Sequence, residues 1–392
     1  MIWFLIFIFT FYVILIVSLT IGFKKVNDFI PKNQDLETNF SVIIPFRNEA
    51  ENLPLLLESI SKLKYPKELV EFLFIDDDSS DSSVEIIKNF LSVIPNEERG
   101  GIYKNEKHLK PLNFALGNIR VIKNVRASNS PKKDAITTAI NIAKNDWILT
   151  TDADCILPKN WLHTFNDFIQ HNNPKMVVAP VNYKAENNFL EQFQLIDFMS
   201  MQGTTIGGFG LGFPFLCNGA NLGYKKREFL LNNGFEGNNT IASGDDVFLF
   251  EKFLENDKKS VQFLKSKEAI VTTFPVKSWT DLINQRTRWA AKTGNFKSVK
   301  VKLIGLLVLL MNLSVILTFF LADTLQIKLL PFGLKFLIDL FLFAPTIRFF
   351  KHEKSFLKWY LLSSFVYPIF SVLVIFKSIF FKYHWKGRSF KK

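Results

Sequence analysis

Trp147-Ile148-Leu149-Thr150-Thr151-Asp152-Ala153-Asp154 decides how this chain is read. A short apolar run ends in two carboxylates two positions apart. An uncharged run of this length, bounded by turn residues, reads as a buried strand. In extended backbone, residues i and i+2 share a side. Asp152 and Asp154 are therefore expected to face one small volume at the C-terminal end of a strand, where open α/β sheets hold their ligands. Paired carboxylates suit a hard divalent ion, Mg²⁺ or Mn²⁺, of the kind shared with a phosphate-bearing substrate. The plain alternative is an Asp-rich turn. The flanking segments decide between them.

Working outward, residues 40–300 alternate between strand-like and helix-like patterns. Phe40-Ser41-Val42-Ile43-Ile44 reads as a strand ending at Pro45, and Leu53, Leu56, Leu57 and Ile60 set a helical spacing over residues 49–63. Strands are expected at 70–75, 119–122 and 147–150, with helices at 84–91 and 134–143 between them. Such alternation predicts α/β architecture, a mostly parallel sheet covered on both faces. The polar stretch 93–118, with its Gly-Gly pair, reads as an excursion from that core.

The chain has 392 residues, 48% hydrophobic and 15% aromatic, with mean hydropathy +0.14. That balance suits a water-facing domain joined to membrane segments. Residues 2–22 carry no charge and are long enough to cross a bilayer. Lys24 and Lys25 follow at once, and neither a basic leading region nor a small-residue cleavage site is present. Residues 1–23 are thus expected to be a retained transmembrane anchor. The lysines place the next domain in the cytoplasm, making this an integral protein of the cell (inner) membrane. Further apolar stretches lie at 303–322, 329–347 and 359–381. If all three cross, the basic tail 383–392 lies outside, against the positive-inside rule. One of the last two is therefore expected not to cross.

The net charge of +12 fits the positive flanks of membrane helices. No nucleic-acid-binding module is visible, so no nucleic acid partner is expected. Cys155 and Cys217 sit among apolar neighbours and read as small core residues of a reducing compartment. The five histidines are scattered, which argues against zinc.

Other constellations share the register of Asp152. Ile75-Asp76-Asp77-Asp78-Ser79-Ser80-Asp81 closes a strand. Its plain reading is an N-cap cluster; both readings hold if Ser79 to Asp81 cap while Asp77 faces a ligand. Lys132-Lys133-Asp134-Ala135 precedes a helix, where a lysine meets phosphate or offsets carboxylates, or is simply a solvated turn. Cys217-Asn218-Gly219-Ala220-Asn221-Leu222-Gly223 allows close backbone approach, or is a tight turn. Ser243-Gly244-Asp245-Asp246 opens a helix with a cap, Ser243 or Asp245, or with a general base. Gln285, Arg288 and Trp289 share one helical face. An arginine there grips diphosphate and a tryptophan offers a sugar platform, unless the pair is an interfacial belt.

Together and in this order, these segments resemble the membrane-bound family 2 glycosyltransferases of GT-A fold, a Rossmann-like nucleotide-diphospho-sugar transferase architecture. The likeness covers about residues 40–295. Ser41-Val42-Ile43-Ile44-Pro45 with Asn48-Glu49 looks like the first strand meeting the nucleotide. Asp76-Asp77 resembles the uridine-binding aspartates, and Lys132 with Ala135 the Gly-Lys-x-x-Ala element, with Pro131 in place of glycine. Asp152-Ala153-Asp154 is similar to the D-x-D metal motif. Asn218, Asn221, Arg227-Glu228-Phe229 and Gly234-Phe235 look like the acceptor-side segment. Gly244-Asp245-Asp246 resembles Gly-Glu-Asp, with Asp245 in place of glutamate, and Gln285-x-x-Arg288-Trp289 matches Q-x-x-R-W.

The resemblance implies an inverting transferase taking a nucleotide sugar, a UDP-sugar by preference. Pro45, Glu49, Asp76, Asp77 and Lys132 would bind the nucleotide. Asp152 and Asp154 would hold the metal–diphosphate, with Mg²⁺ or Mn²⁺ as cofactor. Asp246 would be the base and Arg288 would steady the leaving group. Asn218, Asn221, Gln285 and Trp289 would bind substrate. The domains implied are an anchor (1–23), a GT-A domain (39–298), C-terminal membrane or interfacial helices (301–382) and a basic tail (383–392). A tail resembling the Trp-Arg-Gly-Arg ending of lipid-modifying relatives, and few helices for a channel, favour a lipid or lipid-linked acceptor at the cytoplasmic face. A processive polysaccharide synthase is the alternative. A non-catalytic nucleotide-sugar-binding scaffold is the alternative of another class.

Overall fold

A computed structural model describes residues 2–32, 34–93, 118–238, 244–381, 383–385 and 388–390. The polar stretch expected as an excursion, Ser243, and Lys386-Gly387 of the tail lie mostly or wholly outside these. In chain order the elements are α1 (Ile2–Lys25), β1 (Phe40–Phe46), α2 (Leu53–Ser61), β2 (Val70–Asp76), α3 (Ser83–Val93), β3 (Ile119–Lys123), α4 (Pro131–Ile142) and β4 (Trp147–Thr150). Then come α5 (Trp161–Asn172), β5 (Met176–Val178), β6 (Val181–Tyr183), α6 (Phe189–Gly210), β7 (Leu222–Lys225), α7 (Lys226–Leu231), α8 (Asp245–Asn256), β8 (Val261–Phe263) and β9 (Val271–Thr273). The chain ends with α9 (Trp279–Thr293), α10 (Val299–Leu321), α11 (Leu325–Phe350), α12 (Glu353–Phe380), β10 (Tyr383–Trp385) and β11 (Arg388–Phe390). Two compact units emerge: residues 29–181 with 218–273, and residues 1–28 with 182–217 and 274–392. Segments 182–217 and 274–298, expected inside the 39–298 domain, thus group with the apolar helices.

The first unit is built on a seven-stranded sheet of order β3-β2-β1-β4-β7-β5-β8. β3, β2, β1 and β4 run parallel, β7 is antiparallel to β4 and β5, and β8 is parallel to β5. Val42, Ile43, Phe72, Leu73, Ile148 and Leu149 are all fully buried, as strands covered on both faces require. β4 begins and ends where its apolar run does. β1 runs on through Pro45 to Phe46. Ile43 accepts from Thr151 on the β4 side and Phe46 from Asp77 on the β2 side. Alternation puts the missing N–H of Pro45 on the β4 side, beyond the last pair Ile43↔Thr150, where no ladder bond is lost.

α2 is shorter than its apolar spacing suggested. Asn48 takes φ +52°, and the Glu49 carbonyl accepts from the Asn52 and Leu53 amides in a turn. Pro54 then sits in the first helical turn, where it forfeits no bond. The predicted face of Leu53, Leu56, Leu57 and Ile60 is buried. Each such side chain contributes about 2 kcal/mol.

Among the described residues, three helices, all in the second unit, are long and apolar enough to cross a membrane: Trp3–Lys25, Val299–Leu321 and Phe356–Phe380. α11, interrupted by Pro331 and Pro345 and carrying Lys335 and Asp339, is not among them. Ile8, Tyr12, Ile16 and Leu19 of α1 share a core with Met311 and Val315 of α10 and Leu342 of α11. α6, to which the sequence reading assigned no element, lies against α1 with backbones in contact. A Cβ on Gly207 would fall 2.5 Å from the Leu19 carbonyl oxygen, and one on Gly210 would overlap that of Gly22. Only residues without a side chain allow this approach.

Candidate functional site

β1, β2 and β4 are parallel, so their C-terminal ends share one edge of the sheet. There the loop after β1 docks on the loop after β2. Arg47 Nη1 donates to the Asp77 and Asp78 carbonyls at 2.6 and 2.8 Å, and the Ser80 amide donates to Asn48 Oδ1 at 2.8 Å. Asp81 is the residue of this run that caps: its Oδ1 accepts from the Ser83 amide at 3.0 Å as α3 begins. Pro45 and Glu49 are half-buried here, with Glu49 Oε2 accepting from Asn52 Nδ2 at 2.7 Å.

Asp76 and Asp77 are placed differently from each other. Asp76 is half-buried and accepts from the Ser79 amide at 2.9 Å. Asp77 is buried, accepting from Asn124 Nδ2 at 2.7 Å and from Arg126 Nη1 at 3.3 Å. Asp76 is thus the more accessible of the two, where Asp77 was expected to face the ligand. Arg126 also donates to Asp134, whose carboxylate takes the Ala127 and Ser128 amides and shapes the turn before α4. Asn124 and Arg126 had no signal in the sequence, because they lie in a loop without periodicity.

The stretch after β4 departs from the expected geometry. The strand stops at Thr150, and the Cys155 amide donates to the Asp152 carbonyl at 3.2 Å, so residues 152–155 form a turn. The i, i+2 argument for Asp152 and Asp154 therefore fails, although both remain at the sheet edge and partly accessible. What gathers carboxylates here is Lys132. Its Nζ lies 2.7 Å from Asp152 Oδ1 and 3.2 Å from Asp245 Oδ2. Burial opposes this charge, but Asp152 and Asp245, with Asp246 beyond them, hold the ammonium above its usual range, so it stays protonated.

α8 starts on Gly244 at φ +84°, where a Cβ would strike the Phe248 ring. Asp245 is buried, and Asp246 is partly accessible. Asp246 Oδ1 accepts from the Val247 amide at 2.8 Å and Oδ2 from the Gly219 amide at 3.2 Å. Gly219 is held in turn by Thr150, whose hydroxyl donates to its carbonyl at 2.8 Å. A Cβ on Gly219 would meet Asp245 at 3.2 Å, Asp246 at 3.3 Å and Lys132 at 3.6 Å. The glycine is what lets four segments converge.

Two expected site residues have other work. Asn221 is fully buried: its Oδ1 accepts from Trp161 Nε1 at 2.9 Å and its Nδ2 donates to the Pro180 and Ala269 carbonyls, both at 2.8 Å. Both amide hydrogens are spent on the fold, so Asn221 is a structural residue and not the substrate residue its place in the motif implied. Asn218 caps the turn, accepting from the Ala220 amide at 3.0 Å, and is half-buried. In the segment read as acceptor-side, Phe229 packs between Tyr224 and Phe235, and Glu228 pairs with Lys175 at 3.3 Å. Tyr224, also unforeseen, is buried beside Asp245 with its hydroxyl unbonded.

Gln285, Arg288 and Trp289 lie in the other unit, on α9, which is the helix expected, and all three are half-buried. Between them Arg286, which the sequence reading passed over, is buried and paired with Asp197 at 2.6 Å.

Among the described residues, no three His, Cys, Asp or Glu side chains form a metal cage. The oxygen donors present still fit a hard ion that takes further ligands from phosphate and water. Asp152 keeps 37% of its side chain exposed. Cys155 does not compete as a soft ligand: burial first, then Asp154 and Asp152, push its thiol well above the usual range and keep it neutral.

The chain matches Glycosyl transferase family 2 over residues 41–228 and Glycosyl transferase family group 2 over residues 147–382. It is 25% identical over 186 residues to the mannan polymerase II complex anp1 subunit of Schizosaccharomyces pombe, a match covering 45% of this chain and 41% of that protein. It is 32% identical over 115 residues to the undecaprenyl-phosphate 4-deoxy-4-formamido-L-arabinose transferase of Proteus mirabilis, covering 29% of this chain and 28% of the relative. The chain thus matches less than half the length of either relative. Among solved structures, the mannosyltransferase PcManGT of Pyrobaculum calidifontis, in complex with GDP-Man and Mn²⁺, superposes with a TM-score of 0.55 at 13% identity, covering 96% of each chain. With family matches running from Ser41 to Lys382 over a sheet that gathers Lys132, Asp152, Asp245 and Asp246 at one edge, this chain belongs to the family 2 glycosyltransferases of GT-A fold.

Proposed function

We propose that this glycosyltransferase moves a sugar from a UDP-sugar to a lipid or lipid-linked acceptor at the cytoplasmic face of the cell membrane, with inversion. The observation that carries the reading is the convergence on Lys132: one ammonium spans Asp152 and Asp245 beside Asp246, at the edge where three parallel strands end. A lipid acceptor is supported by the membrane-length helices and by a relative whose name makes undecaprenyl phosphate a substrate. The cytoplasmic face is supported by Lys24 and Lys25 after the first apolar helix.

In this reading Asp76, the more accessible of the pair after β2, faces the nucleotide base, with Pro45 and Glu49 beside it. Asp152 and Asp154 would hold Mg²⁺ or Mn²⁺, which when bound would supply Lewis-acid neutralisation of diphosphate charge. Lys132 meets the same diphosphate as a point charge. Asp246 takes the proton of the acceptor hydroxyl while that oxygen bonds to the anomeric carbon. The bond from that carbon to the diphosphate oxygen breaks, and UDP carries away the electron pair. The Gly219 and Val247 amides hold the Asp246 carboxylate in one orientation meanwhile. A single displacement inverts the centre, so an α-linked donor gives a β-linked product. Arg288 steadies the departing diphosphate, and Gln285 and Trp289 line the acceptor.

The test is incubation of the membrane-embedded chain with labelled UDP- and GDP-sugars and lipid extract, followed by chromatography. A discrete labelled lipid is expected from a UDP-sugar. A high-mass polymer would instead establish a processive synthase, a GDP-sugar as sole donor would overturn the nucleotide, and donor binding without any product would establish a scaffold.

A further inference from the structure

Arg286 is 5% exposed, inside the helical unit. Its Nε donates to Asp197 Oδ2 of α6 at 2.6 Å, its Nη1 donates to Gln285 Oε1, and the Tyr183 hydroxyl is a further partner. The guanidinium carbon lies 4.2 Å from the centroid of the Trp289 ring. Nη2 makes no hydrogen bond, though it is buried. An orphaned donor in a dry interior is costly, so full hydrogen bonding is not what decides this placement. What the placement achieves is contact with both Gln285 and Trp289, the residues that flank Arg288 on the α9 motif.

The carboxylate that anchors Arg286 is tied further into the bundle. The Tyr367 hydroxyl of α12 interacts electrostatically with Asp197. The Tyr367 ring lies 5.6 Å from the Lys335 ammonium of α11. Lys335 pairs with Asp339, one helical turn on, and Asp339 accepts from the Tyr12 hydroxyl of α1 at 2.7 Å. A chain of polar contacts thus runs from α9 through α6 and α12 to α11 and α1. Charged groups among apolar helices are expensive to keep and mark function more often than stability. As a stabiliser alone, a buried ion pair gains little over two well-packed apolar side chains.

We infer that Arg286 is a positioning residue: held by Asp197, it sets the side-chain placement of Gln285 and Trp289, and the chain through Tyr367, Lys335, Asp339 and Tyr12 keys that placement to the membrane helices. Lysine could not substitute, because a single ammonium cannot fork to Asp197 and Gln285 while lying flat on an indole. The inference rests on the proposed transfer reaction, in which Gln285 and Trp289 line the acceptor.

The decisive comparison is between wild-type protein in detergent, Arg286→Lys, and the double variant Asp197→Asn with Arg286→Met. The double variant removes both charges, so no uncompensated ion remains to unfold the bundle. Trp289 is read by its emission, taken as the difference from a Trp289→Phe protein. Both variants are expected to keep wild-type affinity for UDP, lose transfer by about tenfold or more through the acceptor KM or kcat, and shift the Trp289 emission. Wild-type transfer by the double variant would reduce the pair to scaffolding and overturn the inference. If the double variant does not fold, Arg286→Lys decides alone: wild-type transfer with unshifted Trp289 emission overturns it. Should the wild-type protein transfer no sugar at all, the functional reading fails, while the Trp289 emission still tests the positioning.

Discussion

Lys132 in the α/β unit is a cation between two carboxylates and Arg286 in the helical unit a cation on one, and the two differ in how far water reaches them. The Lys132 side chain is 19% exposed, between Asp152 at 37% and Asp245 at 10%, whereas those of Arg286 and Asp197 are 6% and 8% exposed. The Asp152 arm of the Lys132 cluster is the one open to water, where an ion pair is worth about 1 kcal/mol or less, so Asp152 is exchanged cheaply for a phosphate or a metal. Breaking one member of a buried pair costs about 3–5 kcal/mol, because a charge is stranded. The same chemistry is therefore exchangeable at the sheet edge and fixed among the helices. The first suits groups that must meet and release a ligand. The second suits groups that must never move.

The largest effect that would sharpen this contrast is expected at Asp246. Asp246→Asn keeps the shape of the side chain but cannot take a proton, and its single amide oxygen can accept from only one of the Gly219 and Val247 amides. Transfer should fall by about 10²–10⁴-fold with UDP affinity retained, measured as labelled product per mole of protein. Turnover at the wild-type rate would remove Asp246 as the base and leave the open cluster without its chemistry.

A smaller effect is expected when the open cluster loses a candidate ligand. Asp154→Ala, or chelation of divalent ions, should weaken UDP binding by about tenfold, equivalent to about 1.4 kcal/mol, in a titration with and without Mn²⁺. Affinity unchanged by either treatment would separate Asp154 from any metal.

The smallest effect concerns Lys132 and pH. Its folded-state pKa is raised by Asp152 and Asp245 against the opposing effect of burial. A raised lysine gives stability that is fully present below its unfolded pKa of about 10.4 and is lost only as pH climbs through the higher folded value. Lys132→Met should therefore lower the melting temperature by about 2–4 °C, equally at pH 6 and pH 9. A deficit that changes between those values would mean that the ammonium is not what joins Asp152 to Asp245.

Of the strands, β1 to β4 were legible; β1, β2 and β4 are buried on both faces and so apolar nearly throughout, whereas β5 to β9, three or four residues each, are too short to show a pattern. Helix starts were less so. Asn48 in the left-handed region and the Glu49 turn delay α2, and a backbone angle leaves no trace in an apolar count. α6 was missed because Glu191, Gln192, Gln194 and Asp197 interrupt its apolar pattern; Gln194 donates to the Val276 carbonyl and Asp197 pairs with Arg286, so these polar groups are spent inside the fold. The same limit applies at the site. The convergence of Lys132, Asp152 and Asp245 was foreseen only as motifs sharing an edge. Asn221 and Asn218 look alike in Asn218-Gly219-Ala220-Asn221, yet one amide is saturated and the other half-buried, since burial is decided by Trp161 and Ala269 far along the chain.

The glycine contact between α1 and α6 has a consequence for how this chain is allowed to change. Leu19 and Gly22 meet Gly207 and Gly210 backbone to backbone, so the first helix carries stereochemical information as well as oiliness. A generic apolar segment of equal length would satisfy the bilayer but wedge the two helices apart wherever a methyl group replaced a hydrogen. No gain in bulk on one helix can be answered by a loss on the other, because Gly22, Gly207 and Gly210 have no side chain to give up. α1 is a fitted part, and its face toward α6 is under the same constraint as a core.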